Sequence, residues 1–187
     1  RRRLPPRLLL AELLGQRGAV DAALAVVTAA VRDFPTRAEP ARLRAQVYAV
    51  KGDWRGALDA AIDWRTRSHV RHSEVDTLIA ECRIRLGDVA GGMAEIAPYL
   101  EFARAEPARF ERLLVSYAWG LLLLGKDAEA MALVGPHVDS APRWRAIATG
   151  YDVTQLEDTA SAARWLTALE ARLGRLDTPT VLSLALQ

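Results

Sequence analysis

The sequence predicts an all-α protein, an α-solenoid of about five antiparallel helix-turn-helix repeats within a single domain spanning residues 1–187. Three observations predict it. Glycines at 18, 52, 87 and 125 stand where one apolar helical pattern ends and another begins, and they lie 34, 35 and 38 residues apart. Small and apolar residues keep a fixed phase around those glycines. No segment shows the alternation of a half-buried strand. A helix pair of this kind leaves one side uncovered, and stacking the next pair on it buries that side.

The repeats fall at about 4–37, 38–71, 72–107, 108–142 and 143–175. In the first four, the junctions read Arg17-Gly18-Ala19, Lys51-Gly52-Asp53, Leu86-Gly87-Asp88 and Leu124-Gly125-Lys126. Each glycine suits a left-handed residue just past a helix C-terminus, where a Cβ is penalised. Seven residues earlier stand Ala11, Ala45, Ala80 and Ala118; five later stand Ala23, Ala57, Gly92 and Ala130. These small pairs let the two helices approach closely. Leu24, Leu58, Met93 and Met131 follow one residue on, and Val27, Ala61, Ile96 and Val134 three beyond those, filling the space between the helices. The fifth repeat is degenerate. Glu157 takes the glycine's place, with Gly150, Ala162 and Leu166 in phase, and residues 160–173 form an amphipathic helix ended by Gly174. Residues 176–187 open a further helix at Asp177-Thr178-Pro179 and stop within its apolar pattern, as expected of a piece of a longer protein.

The repeat resembles the tetratricopeptide repeat (TPR), which shares the period near 34, the small residue of the first helix, the glycine at the turn and the alanine early in the second helix. Tyr48 matches that family's first-helix tyrosine, Ala30 its late second-helix alanine, and Pro35 and Pro142 its closing proline. The pattern departs at Trp64, Tyr99 and His137, which replace the late alanine, and at His69 and Arg104, which replace the proline. With the unequal spacings, these departures predict irregular joints.

The resemblance implies a right-handed superhelix that binds a protein or peptide along a concave face lined by the first helix of each repeat. The implied groove positions are Leu8, Glu12 and Gln16 in the first repeat, then Arg42, Gln46 and Ala49 in the second. Thr77, Glu81 and Arg85 follow in the third, Arg112, Val115 and Trp119 in the fourth, and Trp144, Ile147 and Tyr151 in the fifth. Family members that clamp a terminal carboxylate use lysine and asparagine where this chain has Leu8 and Glu12, so that ligand is not expected. Trp119, Trp144, Tyr151 and Arg112 are of the types that dominate binding energies. Trp119 and Trp144 equally suit packing between repeats, and Trp54 and Trp64 are expected to pack at second-helix ends.

Composition narrows the function. With 25 Lys+Arg against 23 Asp+Glu, the net charge of +2 gives no footprint for nucleic acid beyond the terminal run Arg1-Arg2-Arg3. No apolar run approaches the roughly 20 residues of a membrane span. The single cysteine, Cys82, excludes an intrachain disulfide; that fits a reducing compartment but does not exclude a periplasmic one. It is expected to be a buried thiol. His69-Val70-Arg71-His72 has metal-ligand spacing, yet Arg67 and Arg71 repel a cation, and an exposed loop is the plainer reading. His137, Asp139 and Ser140 are too close in sequence to converge as a triad. No active site, metal site or cofactor is expected.

The leading reading is a non-catalytic protein-interaction scaffold. The alternatives are a spacer arm of a larger bacterial protein, which the Arg- and Ala-rich composition suits, and self-association through the solenoid ends, including Leu182 and Leu184.

Overall fold

The structure, a computed structural model, describes residues 4–69, 72–126, 128–130 and 132–133. The chain divides into two compact units, Arg1–Glu95 and Ile96–Gln187, each taken by itself below. Trp144, Ile147, Tyr151, Trp165, His137, Pro142, the fifth repeat and the final segment lie outside the described residues.

The described residues form α-helices and one 3-10 turn. The first unit holds α1 (Leu4–Gln16), α2 (Val20–Asp33), α3 (Ala38–Lys51), α4 (Trp54–Ser68), α5 (Ser73–Arg85) and nearly all of α6 (Val89–Ile96). Each pair closes through the same turn. Gly18, Gly52 and Gly87 have φ of 76°, 77° and 90°, as does Gly125 in the second unit at 71°. In every case two hydrogen bonds lock the turn. At the second one, Gly52 N–H donates to the Ala49 carbonyl (3.1 Å) and Asp53 N–H to the Tyr48 carbonyl (3.0 Å). This is the Schellman arrangement, which satisfies carbonyls that a helix end leaves open. A Cβ at Gly52 would meet nothing within 4 Å. Gly52→Ala therefore carries only the left-handed backbone penalty, and we expect a loss of about 1 kcal/mol in denaturant melts.

The small residues facing one another are buried as their phase requires. Ala11, Ala23, Ala45, Ala57 and Ala80 are fully covered. Gly92 stands in the third repeat because α6 approaches α5 still more closely: a Cβ there would lie 2.7 Å from the Ala80 carbonyl oxygen. Asp53 and Asp88 follow their glycines and cap the next helix, accepting from the Gly56 and Gly91 N–H groups at 2.9 and 3.0 Å.

Successive pairs share cores. Ala11, Ala23 and Val27 of the first pair pack with Leu43 and Val47 of α3. Ala57, Ala61 and Trp64 pack with Val75, Leu78, Ile79 and Cys82 of α5. Ion pairs follow the same joints. Lys51 on α3 reaches Asp21 on α2 at 2.7 Å, and that hydrogen bond holds the ammonium pKa above its ordinary value. Arg65 on α4 meets fully buried Asp76 on α5 (3.3 Å) and Glu95 on α6 (2.8 Å). Burial lowers the Arg65 pKa, and its carboxylate neighbours outweigh that effect, so the net shift is upward.

In the second unit, a 3-10 turn at Ala97–Tyr99 precedes α7 (Leu100–Ala105) and α8 (Glu111–Leu123). Pro98, which has no N–H to donate, sits at the start of that turn and splits the second helix of the third repeat. Ala103, Leu114, Ala118, Leu122 and Ala130 are among this unit's buried residues.

Candidate functional site: a groove between first helices

The side-by-side placement of α1 and α3 leaves a groove of about 200 Å³. Its floor is apolar: Ala11 and Gly15 from α1, Val20 from the start of α2, and Leu43, Val47 and Val50 from α3. Three polar side chains stand on it, Glu12 and Gln16 from α1 and Gln46 from α3. These belong to the positions expected from the sequence, and the fold brings them onto one surface. Glu12 and Gln16 are exposed and Gln46 is half-buried. Glu12 is the only charged residue of the lining.

Gly15 is informative. It lies inside α1, where glycine is unfavourable relative to alanine, and no atom lies within 4 Å of where its Cβ would be. The open space over it is the groove. The floor residues Gly15, Val20 and Val50 escape a reading by groove positions alone. Their signals are an interior helical glycine and an apolar residue, Val50, left 74% exposed.

Most of the remaining expected residues among those described are engaged or covered. Arg42 is half-buried and reaches Glu74 at 3.9 Å. Arg85 stacks on the Trp54 ring, 4.2 Å from its centroid, a cation–π contact that employs both side chains. Thr77 is buried and donates its hydroxyl to the Ser73 carbonyl at 2.6 Å. Glu81 is buried as well. In the second unit Arg112 is exposed, whereas Val115 and Trp119 are 4% and 3% exposed. Of the two readings open for Trp119, burial fits packing, and both side chains offer little surface to a partner. The physical reason is area, since burying a large aromatic is worth more than presenting it.

Residues with potential chemistry are dispersed. Cys82 lies fully buried in the α4–α5 core. His69 ends α4 in a left-handed conformation (φ 54°), His72 precedes α5, and both are exposed. Among the described residues, no three His, Cys, Asp or Glu side chains gather to hold a metal ion, and no helix is long and apolar enough to cross a membrane.

No family model and no curated protein matches the sequence. Solved structures do match. YrrB, a TPR protein with an unusual peptide-binding site, superposes with a TM-score of 0.64 at 17% identity, covering 97% of this chain and 91% of YrrB. TTC0263, a thermophilic TPR protein in Thermus thermophilus, superposes with a TM-score of 0.64 at 17% identity, covering 98% of this chain and 97% of its own. The fold is an all-α helical repeat of the TPR type.

Proposed function

We propose that this TPR-like chain is a non-catalytic protein-interaction scaffold that holds an extended peptide across the first helices of its repeats, with one peptide side chain seated between α1 and α3. One observation carries the reading: the α1/α3 groove combines an apolar floor with Glu12, Gln16 and Gln46 standing on it. Its volume lies below the roughly 300–1,000 Å³ of small-molecule sites and suits a single side chain. The two glutamines supply amide donors and acceptors for a peptide backbone, and Glu12 favours a basic residue beside the apolar anchor. The peptide-binding site of YrrB supports a peptide as the class of ligand.

Magnitudes limit the affinity. Burying one Leu-sized side chain contributes about 1.5–3 kcal/mol, and a micromolar complex needs about 8 kcal/mol. The groove is therefore an anchor, with other contacts made along neighbouring first helices.

The test is a selection from a displayed peptide library, with the selected peptide titrated by fluorescence anisotropy. Gly15→Trp adds bulk to the groove from a helical site where a new Cβ meets no atom within 4 Å, and replacing a glycine inside a helix leaves the melting temperature unchanged or raised. We expect it to weaken the peptide at least tenfold, about 1.4 kcal/mol. Equal binding by the two proteins, with both folded by circular dichroism, would place the peptide elsewhere.

A further inference from the structure

The groove between α1 and α3 carries a single charge. Among the described residues, Glu12 is the one charged side chain in its lining, beside the apolar floor. The nearest cations in the chain are placed elsewhere. Lys51, next to Val50, is paired with Asp21 at 2.7 Å, and Arg42 of α3 reaches Glu74 at 3.9 Å. Arg17, past the end of α1, is exposed and outside the lining. The side chains of Glu12, Gln16 and Gln46 make no hydrogen bond or ion pair with another residue. Their polar ends are spare.

That charge limits what can be seated. The groove, about 200 Å³, has room for one side chain, and Glu12 belongs to its wall. Whatever covers the floor therefore also takes water from the carboxylate. A leucine would give the carboxylate nothing in return, and an uncompensated charge loses more on leaving water than a few methylenes gain. An acidic side chain would add like-charge repulsion.

A lysine or arginine avoids both costs. Its methylene stem lies along apolar surface while its head keeps polar contacts. Against Glu12 that head makes a charge-assisted hydrogen bond, stronger than one between neutral groups. The amides of Gln16 and Gln46 carry an acceptor oxygen as well as N–H donors. Each can turn its oxygen to the cation and keep its N–H groups for the peptide backbone.

We infer, on the groove reading above, that the side chain seated between α1 and α3 is a lysine or arginine of the peptide. Its stem is the apolar anchor, its head is the basic group, and Glu12 is the residue that selects it. The ligand is thus a basic linear segment. Acetylation of a seated lysine removes the charge and releases the segment.

The test uses the full chain and the selected peptide, resynthesised with each residue replaced in turn by alanine. The seated position is the one whose replacement weakens binding to the native protein but not to Gly15→Trp. A lysine or arginine is expected there. With lysine at that position, norleucine keeps the stem and drops the charge, and it should bind about tenfold more weakly, as should ε-acetyl-lysine. Glu12→Gln is a near-isosteric change at an exposed site and should leave the thermal melt unchanged. It should also shrink the difference between lysine and norleucine to about twofold or less. An apolar residue at the seated position, norleucine binding as tightly as lysine, or a lysine preference that survives Glu12→Gln overturns the inference. Sensitivity to Gly15→Trp would in each of those cases leave the groove reading standing. If no position responds to Gly15→Trp, the groove reading fails and the inference falls with it.

Discussion

Trp64→Ala destabilises the first unit by about 3–5 kcal/mol, the range for removing a buried large aromatic. Trp64 is 5% exposed and sits in the cluster that joins α4 to Val75, Leu78, Ile79 and Cys82 of α5. It replaces the late second-helix alanine that the first repeat keeps as Ala30, so this joint is filled by bulk where the first is filled by close approach. The surrounding alanines have no freedom to move into the void. A denaturant melt followed by circular dichroism should show a lower midpoint for the transition of the first unit. A stability change below about 1 kcal/mol would mean that the α4–α5 joint collapses around the gap.

Arg65→Met is expected to cost about 3–5 kcal/mol, for a different reason. Its guanidinium lies 3.3 Å from fully buried Asp76 and 2.8 Å from Glu95, whose side chain is 12% exposed. Arg83 also reaches Glu95, at 3.3 Å, so the carboxylate of α6 keeps a second cation. Asp76, fully buried, loses its ion pair to α4 in a place water does not reach. Replacing both partners, Arg65→Met with Asp76→Leu, should recover more than half of the loss. A paired apolar replacement of a buried ion pair is often close to neutral, whereas removal of one partner is not. Additive losses from the two single substitutions would contradict this account.

The repeat frame was legible in the residues because its geometry dictates residue type. A left-handed turn demands glycine, and all four junction glycines have positive φ. Close approach demands a small side chain, and Gly92 takes alanine's place where even a Cβ would strike the Ala80 carbonyl. The break at Ala97–Tyr99 was foreshadowed by irregular spacing and caused by Pro98, though spacing alone could not locate it.

The site was less legible, because apolar and aromatic residues serve packing and recognition alike. Trp119 and Val115 occupy first-helix positions that a groove would use, and burial takes them into the interior. Arg85 has the chemistry of a peptide-binding cation, and its place over Trp54 depends on how α4 and α5 meet. Glu12, Gln16 and Gln46 are polar at positions where packing asks for nothing polar, and these are the residues that reach the groove. Leu9, Leu10 and Leu13 of α1 are large apolar side chains, and they stand exposed. Whether such a face is covered depends on a neighbouring helix that residue type alone does not specify.

The central claim is that peptide is held between α1 and α3, and amide chemical-shift mapping with the selected peptide tests it most directly. The account predicts the largest shifts at Glu12, Gly15, Gln16, Gln46 and Val47, in a contiguous patch lost in Gly15→Trp. Shifts confined to the outer surface of α2, around Leu24, Ala25, Thr28 and Ala29, where a second shallow depression lies, would contradict it.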